Sequence, residues 1–157
     1  MDIEREIYLT KEGLRNLEQE YEELKAIKSQ RTKENSPTTA ASLEIDSEYI
    51  SFQDDLNLLE SRIAELETIL KNHKLITTPA KGVHKEVLLG ATVIVEVEGQ
   101  EDEFMIVGFL EANPMLGRIS NESPVGRALL GRRTGDEVKV QSSVATVYKI
   151  KKITYRL

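Results

Sequence analysis

The sequence predicts an α+β protein. An N-terminal antiparallel coiled-coil hairpin is expected over residues 1–76, with its tip near 34–48. A linker follows at 77–86, then a small antiparallel sheet domain with one short helix at 87–157. Three observations carry this reading. Two apolar heptad segments are separated by a break containing Pro37. The apolar period switches to two after residue 87. A single short, capped helical motif interrupts the strands near Ser123.

In the first segment Leu14, Leu17, Tyr21, Leu24 and Ile27 or Lys28 recur at helical spacing, the seam of a helix packed on one partner. Thr10 is placed to accept an orphan amide of the first turn, and Glu12 suits the positive end of the helix dipole. In the second segment Tyr49, Phe52, Leu56, Leu59, Ile63, Leu66 and Leu70 alternate three and four apart without a break. Asp46 or Ser47 is expected to cap it, and Pro79 ends it. Helices over 11–32 and 46–73 would be about 33 and 42 Å long. The same seams would serve a parallel homodimer. Pro37 and the run SPTTAAS instead favour a chain that turns back on itself.

TTPAKGVHKE, residues 77–86, has the composition of a linker. In VLLGATVIVEVEG, residues 87–99, Val93, Val95 and Val97 alternate with charged Glu96 and Glu98. Residues 103–109, 137–141 and 145–157 give three more strands, with a turn at Gly99–Asp102 and antiparallel pairing throughout. Ser123 as N-cap, Pro124 as first helical residue and Gly131 as stop define the short helix.

Composition narrows the function. The chain has 157 residues, 39% apolar, so a packed core is expected. No apolar run is long enough to cross a bilayer, and MDIEREIYLT does not read as a secretory signal. The absence of cysteine excludes a disulfide scaffold and thiolate-ligated zinc, and suits a cytoplasmic protein. Residues 1–78 hold 17 acidic and 10 basic side chains; residues 79–157 hold 10 and 11. Neither half is basic enough to bind duplex DNA through phosphates alone. No nucleophile–base pair, P-loop or GxSxG is present, so an independent enzyme is not expected. His73 and His84 lack metal-ligand spacing, and Tyr8, Tyr21 and Tyr49 read as packing residues.

The stretch ISNESPVGRALLGRRTGDEVKV, residues 119–140, closely resembles the C-terminal signature of the bacterial Gre transcript-cleavage factors. LTKEGLRNLEQEYEELK resembles the start of their first helix, SEY at 47–49 their tip, and SRIAELETIL their second helix. The resemblance covers nearly the whole chain. It implies a coiled-coil hairpin followed by an FKBP-like domain, one not known in this family as a prolyl isomerase. It also implies a monomer, away from membranes, that docks on the secondary-channel rim of bacterial RNA polymerase. The hairpin would reach the active site, where tip carboxylates help hold a magnesium ion shared with the polymerase. The chain would have no cofactor of its own. Magnesium takes hard oxygen ligands and often only one or two carboxylates, and a metal pair activates water and stabilises the leaving oxygen.

The family's tip reads roughly D-L-S-E-N-[SA]-E-Y. Alignment on Glu48–Tyr49 puts Ser42 at the Asp and Ile45 at the Glu, and neither is an anionic ligand. Glu44 and Asp46 each lie one residue away, and one residue turns a helical side chain by about 100°. Impaired or absent cleavage is the expectation. The alternative is an active factor in which Glu44 and Asp46 are the catalytic, metal-holding acids. A third reading makes them a solvated loop residue and a helix cap.

Lys25, Lys28, Arg31 and Lys33 form a strip that resembles the family's basic patch for the nascent RNA 3′ end. The plain alternative is a solvated face paired with nearby acids. Ser120, Asn121, Glu122, Ser123 and Pro124 form the loop expected to contact the polymerase. Ser123 and Pro124 also serve as a cap, while Asn121 and Glu122 have no structural role legible in the sequence. Arg127, Arg132 and Arg133 flank the loop and suit an acidic partner surface. Rivals from other classes are a coiled-coil chaperone or isomerase-like protein, and a dimerising adaptor. The first would need exposed aromatics among Phe104, Phe109, Tyr148 and Tyr155.

Overall fold

The computed structural model describes residues 5–34, 47–80 and 85–157. In chain order the elements are β1 (Ile7–Leu9), α1 (Lys11–Glu34), α2 (Ser47–Asn72), β2 (His73–Leu75), β3 (Ala91–Val97), β4 (Gln100–Val107), β5 (Arg118–Ser120), α3 (Pro124–Leu129), β6 (Glu137–Gln141) and β7 (Ala145–Tyr155). Single 3₁₀ turns at Phe109–Glu111 and Pro114–Leu116 lie between β4 and β5. The chain forms two compact units, Leu14–Asn72 and a second that joins Met1–Gly13 to His73–Leu157.

The helical unit is an antiparallel pair, as its heptads require. Ion pairs and hydrogen bonds join Glu20 to Arg62, Tyr21 to Glu67, Lys28 to Glu60 and Arg31 to Asp55. From Tyr21–Glu67 through Lys28–Glu60 to Arg31–Asp55 the α1 numbers climb toward its C-terminus while the α2 partners fall toward its N-terminus. Ile63 and Leu66 of the seam are buried, as is Ile69. Leu14, Leu17, Tyr21 and Leu24 are half-buried, as are Phe52, Leu56 and Leu59. Of the two candidates for the last α1 seam position, Ile27 is 41% exposed and Lys28 is half-buried. Each fully buried seam side chain contributes on the order of 1.5–3 kcal/mol.

The second unit holds a five-stranded sheet of order β5-β4-β3-β7-β6. Its core comprises Val93 and Val95 of β3, Ile106 of β4, Val138 and Val140 of β6, Ile150 of β7 and Leu129 of α3, with Val87 and Ala91. The inward valines of β3 are those the alternation selects. Glu98 and Gly99 both have positive φ, 51° and 80°, and join β3 to β4 in a two-residue turn. Two consecutive left-handed residues are the type I′ geometry that matches strand twist.

Three sequence expectations are corrected. The first concerns pairing: β5 runs parallel to β4, with Ile106 opposite Ile119, so the sheet is mixed. The β4–β3–β7–β6 part is antiparallel as expected. The second concerns the turn, expected at 99–102: β4 already begins at Gln100. The third concerns the unit boundaries, which differ from 76 and 87. Ile7–Leu9 pairs in parallel with His73–Leu75, the Ile76 amide donates to the Leu9 carbonyl at 2.7 Å, and Gly108 lies against the Tyr8 carbonyl. These contacts place β1, β2 and the first turn of α1 in the sheet unit. His73 is half-buried in β2. His84, Pro37, Ser42, Glu44, Ile45 and Asp46 lie outside the described residues.

Candidate functional site

The loop Ser120–Pro124 is built almost entirely from its own short polar side chains. The Glu122 amide donates to the Ser120 hydroxyl at 3.1 Å, and the Ser123 hydroxyl donates to the Ser120 carbonyl at 2.7 Å. The Ser123 oxygen in turn accepts from the Gly126 amide at 3.0 Å, capping α3 as the sequence predicts. Pro124 then supplies the preset φ of a first helical residue. The Asn121 amide bonds the Val107 carbonyl at 2.8 Å and ties the loop to β4. A Cβ on Gly126 would run into the Ser120 carbonyl, so only glycine lets α3 start this close to the loop. Pro124 is exposed, while Ser120, Asn121, Glu122 and Ser123 are half-buried.

Glu122 does have a structural partner. The Arg5 Nε donates to its two carboxylate oxygens at 3.2 and 3.0 Å, and Nη2 completes a forked pair. The same guanidinium lies over the Phe109 ring, 3.5 Å from its centroid. The hydrogen bond from Arg5 holds the Glu122 carboxyl below the usual carboxylate range and raises Arg5 in turn. The two residues lie 117 positions apart in sequence. No local pattern links them; the Tyr8 backbone lies against Gly108, next to Val107 whose carbonyl holds the loop, and so the segment carrying Arg5 lies beside the loop.

A second carboxylate, Glu111, was not singled out by sequence reasoning. Its oxygens accept from the Thr10 amide at 2.7 Å and the Thr10 hydroxyl at 2.5 Å. The Thr10 oxygen accepts from the Gly13 amide at 3.0 Å, the cap the sequence predicts. Glu111 therefore adds negative charge at the first turn of α1, where the dipole favours it. Arg118 pairs with Glu12 on the same turn at 3.3 Å.

In the helical unit Lys25, Lys28 and Lys33 line an open cavity of about 400 Å³ together with Ser29, Thr32, Ile63 and Glu67. Arg31 is not part of its lining. Lys28 pairs with Glu60 at 3.3 Å, Arg31 with Asp55 at 3.8 Å and Lys25 with Glu22 at 3.7 Å. These cations are about half exposed, so the pairs are held weakly. Lys33 forms no ion pair among the described residues. The strip is thus a partly neutralised cationic face with two hydroxyls beside it, able to receive an anion but not dedicated to one.

Among the described residues no group of three or more His, Asp or Glu could hold a metal ion. The tip acids Glu44 and Asp46 lie outside them, so the magnesium expectation has no geometry to be read. The aromatics a chaperone-like sheet would expose are half-buried. Phe104 packs edge-on to Tyr148 with centroids 6.4 Å apart, Phe109 lies under Arg5, and the Tyr155 hydroxyl bridges the Glu86 carbonyl and the Leu88 amide. No helix among the described residues is long and apolar enough to cross a membrane.

An antiparallel helical hairpin, and a mixed-sheet unit that presents a self-braced SNESP loop, define a two-module protein of the hairpin-and-sheet class. Residues 7–75 match the family model described as the N-terminal part of transcription elongation factors. Residues 82–155 match the C-terminal model of transcription elongation factors GreA and GreB. The transcription elongation factor GreA of Thermomicrobium roseum is 40% identical over 145 residues, 90% of this chain and 92% of that protein. The GreA of Caldanaerobacter subterraneus is 39% identical over 158 residues, 98% of this chain and 99% of that protein. The crystal structure of GreA factor homolog 1 of Thermus thermophilus shares 28% identity at a TM-score of 0.42, covering 96% of this chain and 99% of that one. A GreA/GreB structure from Nitrosomonas europaea shares 20% identity at a TM-score of 0.44, over 96% and 100% of the two chains. The chain belongs to the GreA/GreB family of transcription elongation factors.

Proposed function

We propose that this elongation factor binds bacterial RNA polymerase as a monomer, through the Ser120–Pro124 loop of its sheet unit. The hairpin enters the secondary channel and carries its tip to the active centre. The observation that carries the reading is the loop itself. Its backbone is braced by Ser120 and Ser123, while Pro124 is left to solvent and the Asn121 side chain forms no hydrogen bond among the described residues. A prebraced loop loses little conformational entropy on docking, which favours affinity. The lysines around the 400 Å³ cavity support a role for that face in receiving the nascent RNA 3′ end through its phosphates.

The factor does no chemistry alone; at most it stimulates cleavage that the polymerase itself performs. With Ser42 and Ile45 at the expected acid positions, it occupies the channel without efficient cleavage. Glu44 and Asp46 are the residues that would hold the shared magnesium if cleavage survives. A stalled, backtracked elongation complex incubated with the protein and magnesium decides between these. The expected result is a stable complex with RNA 3′ ends of unchanged length. Shortened RNA that depends on Glu44 and Asp46 would replace this reading with that of an active cleavage factor.

A further inference from the structure

We propose that Arg5, in the segment ahead of β1, is itself part of the docking surface and binds a carboxylate on the protein surface of the polymerase. This rests on the reading of Ser120–Pro124 as the polymerase contact, and it extends that contact to a segment remote in sequence. The guanidinium is fixed from two sides, by the forked pair with Glu122 and by the Phe109 ring 3.5 Å away. Yet the Arg5 side chain is 57% exposed and Glu122 is 35% exposed. Nε and one N–H of Nη2 are engaged, so the end edge of the guanidinium, one N–H on Nη1 beside the second on Nη2, is without a partner among the described residues. An oriented guanidinium edge with free donors is the geometry that takes a carboxylate with two parallel bonds.

The pair is not needed to hold the loop. The backbone of 120–124 is braced by Ser120, Ser123 and the Asn121–Val107 bond. An exposed ion pair also adds little to stability. The charge of Arg127 also acts on Glu122, so this carboxylate feels two guanidinium groups, of which Arg5 alone is hydrogen-bonded to it. This arrangement suits an isolated acidic side chain on a protein. A polyphosphate chain would bring a row of negative charges against Glu122, which disfavours RNA as the ligand.

The test measures binding of the full-length protein to core polymerase free of nucleic acid, for the parent, Arg5→Gln, Arg5→Lys, Glu122→Gln, the double variant Arg5→Gln/Glu122→Gln, and Pro124→Ala. Arg5→Gln is expected to weaken binding about tenfold and to flatten its salt dependence. Arg5→Lys recovers less than half of that loss, because an ammonium cannot make the fork. Arg5→Gln must still weaken binding in the Glu122→Gln background. If it does not, Arg5 merely orients Glu122 and the inference is overturned. Unchanged affinity of Arg5→Gln, or a loss seen only in complexes that contain RNA, also overturns it. In either case a loss with Pro124→Ala leaves the loop reading standing. Failure of the parent to bind core polymerase overturns both.

Discussion

The carboxylate of Glu111 fills the space that a Cβ on Gly13 would need, and it sits there while bonded to the amide and hydroxyl of Thr10. Glycine in a helix is ordinarily a cost of about 1 kcal/mol relative to alanine. Here it admits an anion at the helix start. Gly13→Ala would displace the end of a flexible side chain, so the steric cost is small and the loss is that of the two Thr10 bonds. Those bonds outweigh the gain in propensity, and we expect Gly13→Ala to destabilise the protein by about 1–2 kcal/mol. In a Glu111→Ala background the sign reverses, and the same substitution stabilises by up to about 1 kcal/mol. Urea unfolding of the four proteins of this cycle measures both values. Alanine destabilising equally in both backgrounds would show that Glu111 is irrelevant to Gly13.

The loop offers a graded pair of substitutions. Ser123→Ala removes the α3 cap and is expected to cost about 1 kcal/mol. Gly126→Ala forces a backbone carbonyl, that of Ser120, to move, and a backbone cannot swing aside as a side chain does. Its cost should be larger, about 2–4 kcal/mol, with loss of polymerase binding. Thermal melts with parallel binding measurements rank the two, and the reverse order would contradict the close approach of α3 to the loop.

How much of this was legible in the sequence depends on the range of the interaction. The hairpin was legible because Ile63, Leu66 and their seam neighbours repeat at the period of the helix that buries them. Ser123–Pro124 was legible because a cap acts over three residues. The strands Ile7–Leu9, His73–Leu75 and Arg118–Ser120 were not, since three residues are too few to show alternation. The Glu98–Gly99 turn was misplaced because glutamate rarely takes positive φ. Arg5–Glu122 and Thr10–Glu111 were hidden for another reason: pairs joined across 117 and 101 residues leave no periodic trace.

The helical unit has a pH dependence whose sign is fixed. The hydrogen bond from Arg62 holds Glu20 below the usual carboxylate range. A carboxyl depressed in the folded state stabilises the fold above its unfolded pKa, about 4.3 for glutamate. That contribution is lost as pH falls through the lower, folded value. Melting temperature should therefore fall on acidification below about pH 4.3, and Glu20→Gln should remove part of that fall while lowering stability at pH 7. Both side chains are 38% exposed, so the effect is modest and should shrink in high salt. An identical pH profile for Glu20→Gln would mean that the pair does not form in solution.

Charge reversal at two acids separates docking from packing. Glu60 pairs with Lys28 on the helical unit at 3.3 Å, and Glu122 pairs with Arg5 at the loop. Both are surface ion pairs, so Glu60→Lys and Glu122→Lys should each change folding stability by no more than about 1 kcal/mol. Their effects on polymerase binding should differ. Glu122→Lys puts three cations together with Arg5 and Arg127, releases the Arg5 guanidinium from its fixed place, and should weaken binding at least tenfold, about 1.4 kcal/mol. Glu60→Lys adds positive charge to the lysine face without disturbing the loop, and should leave binding to core polymerase within about threefold of the parent. Affinities measured side by side at one ionic strength give the ratio. Equal losses for the two variants would take the 120–124 loop out of the interface, and a larger loss for Glu60→Lys would move the principal contact to the hairpin.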